Sequence, residues 1–126
     1  MKKLLIIEDD PILLKMYVDK FKKGDYQVIT AVDGEQGYDE ALKHQPDFII
    51  LDLRLPKTDG VQILKKLKET TVVKDIPVAA LTVVQQDIAL KNDPDLMSKT
   101  VAYWRKDQIT PSEVFQKVEK YLNDHA

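Results

Sequence analysis

The chain of 126 residues is 44% hydrophobic and 32% charged, a balance typical of one globular domain, which we expect to span residues 1–126. It contains no cysteine, which excludes disulfides, thiolate catalysis and cysteine-based zinc sites. Its formal net charge of −2 gives no general attraction to nucleic acid, so we expect no direct nucleic-acid binding.

The first apolar run, residues 4–7, predicts a strand that is buried on both faces of a parallel sheet. It stops after four residues at an acidic segment, too early for a signal peptide or a membrane span. We therefore expect a cytoplasmic protein without membrane contact. Pro11 suits the first turn of a helix, and we expect Gly24 to end that helix in the left-handed conformation. The buried face of the helix carries apolar residues at helical spacing: Leu14, Tyr17, Val18 and Phe21.

Strands and helices alternate along the rest of the chain. The other predicted strands are residues 26–31, 48–51, 77–81 and 101–105. The other predicted helices are residues 35–44, residues 60–69 capped by Asp59, and a last helix that begins at the capping box of Thr110 and Glu113. The stretch 85–99 is less regular, and Pro94 should break any helix there near Asp93. This alternation predicts an open α/β sheet with helices on both sides.

Ligands of such sheets bind outside the carboxyl ends of the strands. Polar side chains follow four of the predicted strands there: Glu8, Asp9, Asp10, Asp52, Thr82 and Lys106. Each has an ordinary alternative role, since acids cap helices, threonine favours strands and lysine is usually a surface residue. Two carboxylates about 4 Å apart repel by roughly 4 kcal/mol at an effective dielectric of 20, so a cluster of acids requires a proton or a cation. An oxygen-only ligand set suits Mg²⁺, and a carboxylate there could act as a nucleophile toward phosphorus.

Four segments resemble the signature of response-regulator receiver domains of two-component signalling. They are Ile-Glu-Asp-Asp at 7–10, Leu-Asp-Leu-Arg-Leu-Pro-Lys-Thr-Asp-Gly at 51–60, Leu-Thr at 81–82 and Tyr-Trp-Arg-Lys at 103–106. The similarity covers nearly the whole chain in the right order. It implies a stand-alone receiver domain with a flavodoxin-like (βα)5 fold, a doubly wound open parallel sheet of strand order 2-1-3-4-5.

The resemblance also implies a role for each matching residue. Asp52 would accept a phosphoryl group from a sensor histidine kinase or a phosphotransfer protein. Thr82 and Lys106 would contact phosphoryl oxygens, and Tyr103 would rotate and change the face formed by the fourth helix, fifth strand and fifth helix. The implied Mg²⁺ ligands are the side chains of Asp9, Asp10 and Asp52 and the backbone carbonyl of Arg54. Such a protein catalyses only its own phosphorylation and dephosphorylation, and it signals to another protein as a monomer or a phosphorylation-dependent dimer.

The chain departs from the family at a few positions near the face formed by the fourth helix, fifth strand and fifth helix. Residues 99–102 read Lys-Thr-Val-Ala where receiver domains often have a Gly-Ala pair, and Asp107 stands where they often have a cis proline. Val83 is larger than the usual residue after the threonine, and neither Val83 nor Val84 offers a polar group to an attacking water. We therefore expect slow loss of phosphate from Asp52.

Other functions fit the sequence less well. A receiver-like binding module that has abandoned phosphorylation predicts loss of Asp52, Thr82 or Lys106, and all three are present. A phosphatase or transferase of the haloacid-dehalogenase type needs a second Asp two residues after its nucleophile, where this chain has Arg54. A flavin-binding fold needs a Ser/Thr/Gly-rich loop after the first strand, where this chain is acidic.

Overall fold

The computed structural model describes residues 1–55, 57, 59–83, 88 and 90–126. Its strands are β1 (Lys2–Ile7), β2 (Tyr26–Ala31), β3 (Phe48–Asp52), β4 (Val78–Thr82) and β5 (Ala102–Arg105). Its helices, among the described residues, are α1 (Pro11–Lys23), α2 (Gly34–His44), α3 (Gly60–Glu69), α4 (Pro94–Ser98) and α5 (Pro111–Asp124). The strands are parallel and lie in the order β2-β1-β3-β4-β5, which confirms the flavodoxin-like (βα)5 sheet.

The central strands are buried on both faces of the sheet. Successive side chains of a strand point in opposite directions, so each central strand contributes to two cores. Leu5 and Ile7 of β1 pack into a core with α2 and α3. Leu4 and Ile6 pack into a second core, on the other face, with α1 and α5. The uninterrupted apolar run at residues 4–7 thus serves two cores at once. Within the described part of the chain, no helix combines the length and apolar character needed to cross a bilayer.

The predicted helix starts are confirmed. Asp59 caps α3 by accepting a hydrogen bond from the backbone N–H of Val61, and Thr110 and Glu113 form the capping box of α5. Pro94 does interrupt the segment between β4 and β5, since Asp93 caps a new helix, α4, that begins at the proline. This short helix was not predicted, because its five residues are too few to show a periodic pattern.

The end of α1 differs from the prediction. Gly24 has an ordinary φ of −91°, and the left-handed residue is the following Asp25, with a φ of 68°. The reason for glycine at position 24 is space rather than backbone conformation. A Cβ at that position would overlap the ring of Phe115 from α5. Gly24 therefore permits the close approach of α1 and α5.

Candidate functional site

The polar side chains that follow the strands meet at one edge of the sheet. The backbone N–H of Glu8 donates to the carbonyl of Ala31 (3.0 Å), so Glu8 extends β1 by one residue along β2. The backbone N–H of Lys106 donates to the carbonyl of Thr82 (2.9 Å) and extends β5 in the same way. Because these extensions continue the register of the sheet, they fix Glu8 and Lys106 on either side of Asp52, the last residue of β3.

Asp52 lies at the centre of this edge and is fully buried. One carboxylate oxygen, Oδ1, accepts a hydrogen bond from the backbone N–H of Arg54 (2.9 Å), and the other, Oδ2, accepts one from Nζ of Lys106 (2.9 Å). The chain turns away directly after β3, and Gly60 donates to the carbonyl of Leu53 (3.2 Å). A Cβ on Gly60 would overlap the backbone of Leu53, so glycine is required for this turn.

Lys106 joins two buried acids rather than one. Its Nζ lies 3.1 Å from Oε1 of Glu8 as well as 2.9 Å from Asp52, and Glu8 is also fully buried. The same Oε1 accepts a hydrogen bond from the backbone N–H of Asp10 (3.1 Å). The second oxygen of Glu8, Oε2, is buried and has no hydrogen-bond partner among the described residues. A buried carboxylate oxygen without a donor is costly unless it is protonated or bound by a cation.

The pKa values reflect this crowding. Burial, and then the charge of Asp52, raises the pKa of Glu8 from 4.5 to about 7, although Lys106 and the amide of Asp10 act in the opposite direction. Burial alone would lower the pKa of Lys106, but its hydrogen bond to Asp52 and the charges of Asp52 and Glu8 raise it above its ordinary value. The cluster therefore has one ammonium for several carboxylates, and Glu8 gains a proton readily.

Three carboxylates form a group that could hold a metal ion: Glu8, Asp9 and Asp52 each place an oxygen within 4.8 Å of the others. Asp9 is exposed and faces an open cleft of about 410 Å³, which is also lined by Asp10, Arg54, Leu55 and Lys106. The structure thus brings Asp9, Asp52 and Arg54 to one edge of the sheet, and their role as metal ligands stays a prediction of the sequence.

The structure differs from the prediction at Asp10. The Asp10 carboxylate accepts hydrogen bonds from the backbone N–H groups of Ile12 (3.0 Å) and Leu13 (3.3 Å), so it caps α1 and does not belong to the group of three. Glu8 takes the place expected for Asp10. The sequence contained a signal for this assignment, because Pro11 at the first helical position makes the preceding Asp10 the N-cap.

Thr82 is the last residue of β4, and Tyr103 lies in the neighbouring strand β5. Thr82 is fully buried, and its hydroxyl donates to the carbonyl of Trp104 at 3.5 Å, the outer limit of a hydrogen bond. Tyr103 is partly buried against the core that contains α2 and α3. It also lines a groove of about 490 Å³ with Trp104, Arg105 and residues of α5. We call this groove the output face.

Comparison with known proteins identifies the family. The model of the response regulator receiver domain matches residues 4–97. This chain belongs to the response regulator receiver domain family. The polar-differentiation response regulator DivK of Brucella anthropi is 30% identical over 125 residues, which cover 98% of each chain.

Solved structures of response regulators have the same fold. The chemotaxis response regulator CheY4 of Vibrio cholerae has a TM-score of 0.82 with this receiver domain at 22% identity, covering 95% of this chain and 98% of that one. The response regulator Rcp1, solved in a Mn²⁺-bound form, has a TM-score of 0.73 at 26% identity, covering 95% and 91% of the two chains. These similarities extend beyond residue 97 and so include β5 and α5.

This receiver domain departs from the family pattern at positions next to Thr82 and Lys106. The peptide bond between Lys106 and Asp107 is trans, as are the other described peptide bonds. Asp107 accepts a hydrogen bond from Arg105 (3.1 Å). Val83 is partly buried beside Thr82, and Val84 lies outside the described residues.

Proposed function

We propose that this receiver domain is a phosphorylation switch in which Asp52 accepts a phosphoryl group from a sensor histidine kinase or a phosphotransfer protein. One observation carries the proposal: the buried Asp52 carboxylate is held 2.9 Å from the Lys106 ammonium beside a cleft that is lined by Asp9. In the proposed reaction a phosphohistidine enters this cleft, whose volume is about 410 Å³.

The proposed reaction is a direct transfer. A carboxylate oxygen of Asp52 attacks phosphorus, the P–N bond of the phosphohistidine breaks, and its electron pair returns to the imidazole, which takes up a proton. The product is an aspartyl phosphate, a mixed anhydride. Lys106 stabilises the negative charge of the phosphoryl oxygens by its own charge and N–H groups. Water would later hydrolyse the anhydride at the same site. Both reactions take place on Asp52, so the domain would act only on itself.

We propose that Glu8, Asp9 and Asp52 hold Mg²⁺, with the backbone carbonyl of Arg54 as the further ligand that the sequence predicts. The donor set is all oxygen, which suits this ion, and the unpartnered Oε2 of Glu8 is a free ligand atom in a buried position. When bound, Mg²⁺ would neutralise charge on the transferring phosphoryl group. The related Rcp1 binds Mn²⁺, which accepts similar oxygen ligands. Asp10 remains the cap of α1 in this proposal.

We propose that the signal reaches a protein target through the output face. The Thr82 hydroxyl makes a weak bond to Trp104, so it is free to turn toward a phosphoryl oxygen. Space left by that movement would admit the ring of Tyr103. A cytoplasmic location, a domain that spans residues 1–126, and a monomeric state or phosphorylation-dependent dimer stay predictions of the sequence.

Intact-mass spectrometry tests the proposal. Incubation with acetyl phosphate and Mg²⁺ should add one phosphoryl group, and Asp52→Asn should abolish the gain. Asp47→Asn is a matched control, because Asp47 lies at the other end of the sheet, where it accepts from Lys3. Addition of beryllofluoride with Mg²⁺ should change the emission of Trp104, the single tryptophan. No mass gain from acetyl phosphate or from a phosphorylated histidine phosphotransfer protein would favour the alternative, a phosphorylation-independent binding module.

A further inference from the structure

A second cleft lies at the opposite end of the sheet from Asp52. Its volume is about 480 Å³, within the range of small-molecule sites, and Pro77 and Val101, which directly precede β4 and β5, form part of its wall. Three lysines line it: Lys68, Lys74 and Lys99. Among the residues that line it, the single carboxylate is that of Asp75, which is exposed. We call this site the lysine cleft.

Lys68 is held in place without an acidic partner. Its Nζ donates to the backbone carbonyls of Ile76 (2.8 Å) and Lys74 (3.2 Å), and the side chain is partly buried. An ammonium has three N–H donors, so one remains for a ligand. Burial lowers the pKa of Lys68, the charge of Asp75 raises it, and the charge of Lys99 lowers it to a smaller extent. Lys68 and Lys99 line the same cleft, so their positive charges add there, with Asp75 as the opposing charge.

The other two lysines leave positive charge in the cleft. The Lys74 ammonium has no hydrogen-bond or ion-pair partner in the part of the chain that the structure describes. Lys99 pairs with Asp95 at 3.1 Å, but Asp95 is well exposed, and an exposed pair holds a lysine only weakly. Lysines near helix ends are favourable by themselves, which explains Lys68 at the end of α3 but not the convergence of three on one cleft.

We propose that the lysine cleft binds the phosphate group of a small, multiply charged anion. Like charges gathered in one cleft are stabilised by a counter-ion, and a phosphate accepts hydrogen bonds from several ammonium groups at once. Such a group occurs in inorganic pyrophosphate and in nucleotides. The site is independent of Asp52 and requires no divalent ion.

Isothermal titration calorimetry of the full chain with pyrophosphate, in EDTA and at constant ionic strength, tests the proposal. We expect saturable binding tighter than about 1 mM, and at least a tenfold loss in the double variant Lys74→Gln, Lys99→Gln. Lys22→Gln removes the same charge from α1, away from the cleft, and should leave the affinity unchanged. Because Lys68→Met removes two hydrogen bonds to the backbone and could unfold the protein, the double variant is the primary test.

Amide NMR shifts locate the site, and ADP identifies the source of the phosphate. Pyrophosphate should shift the amides of Lys74 and Val101 and leave those of Glu8 and Asp52 in place. Tighter binding of ADP than of pyrophosphate would indicate a nucleotide, and the reverse an inorganic anion. Absence of binding to both, equal weakening by Lys22→Gln, or shifts centred on Asp52 would each refute the proposal.

Discussion

Replacement of Glu8 by glutamine should change how the stability of the metal-free protein depends on pH. Glu8 is fully buried between Asp52 and Lys106, and its pKa rises from 4.5 to about 7 on folding. Between these two values the folded chain binds more protons than the unfolded chain. The free energy of unfolding must therefore fall as the pH rises through this window.

The size of the effect follows from the shift in pKa. The difference between 4.5 and about 7 is about 2.5 units, and one unit corresponds to 1.36 kcal/mol, so ionised Glu8 costs the folded state up to about 3 kcal/mol above pH 7. Lys106 stays charged throughout, since its pKa is raised above 10.5. A cation bound by Glu8 replaces the proton, so Mg²⁺ should stabilise the protein more at about pH 8 than at about pH 5.

Urea denaturation in EDTA, at a series of pH values between about 5 and 8, measures this dependence. The difference in unfolding free energy between Glu8→Gln and the parent chain should grow with pH, because glutamine cannot ionise. Titrating groups away from Asp52 and Lys106 contribute equally to both proteins and cancel in the difference. Parallel curves, or a difference that shrinks toward pH 8, would refute the assignment of Glu8 as the proton-binding member of the cluster.

Three further substitutions or measurements probe the same edge of the sheet. Asp10→Ala should cost about 1 kcal/mol of unfolding free energy by loss of the α1 cap, Asp10→Asn should cost less, and neither should abolish Mg²⁺ binding measured by Trp fluorescence. Gly60→Ala should cost about 1–3 kcal/mol in urea denaturation and slow phosphorylation, because the new methyl group overlaps the backbone of Leu53. Phosphate should leave Asp52 slowly once acetyl phosphate is removed, because Val83 positions no water; release as fast as in the fastest chemotaxis regulators would contradict this.

Most of the fold could be predicted because its signals are local. Apolar runs such as residues 4–7 identify strands buried on both faces, and Asp59 or the pair Thr110 and Glu113 mark helix starts by cap chemistry that acts within one turn. The structural role of Gly24 was not visible in this way. Its neighbour Phe115 is distant in sequence, and only the packing of α1 against α5 brings the two together.

The candidate site likewise has some features that sequence patterns predict and others that depend on the details of the fold. The positions of Asp52, Thr82 and Lys106 follow from the rule that parallel strands bring their carboxyl ends to one edge. Which of Glu8 and Asp10 joins the acidic cluster depends on where β1 stops and α1 starts. A shift of one residue would turn a member of the cluster into a helix cap. Glu8 belongs to the cluster because its backbone still pairs with Ala31 of β2.

The free energies available to the proposed switch indicate that the target protein also contributes to it. A change from 1:99 to 99:1 between two conformations requires about 5.5 kcal/mol, and a charge-assisted hydrogen bond from Thr82 contributes about 1.5–3 kcal/mol. Little is lost when Thr82 leaves Trp104, since their bond is 3.5 Å long. Lys106 already binds two carboxylates and has one N–H left, so phosphate adds at most one hydrogen bond there. Tyr103 is already partly buried and gains only part of its burial energy. We infer that phosphorylation alone shifts the equilibrium in part, and that a target selecting the phosphorylated conformation at the output face completes it.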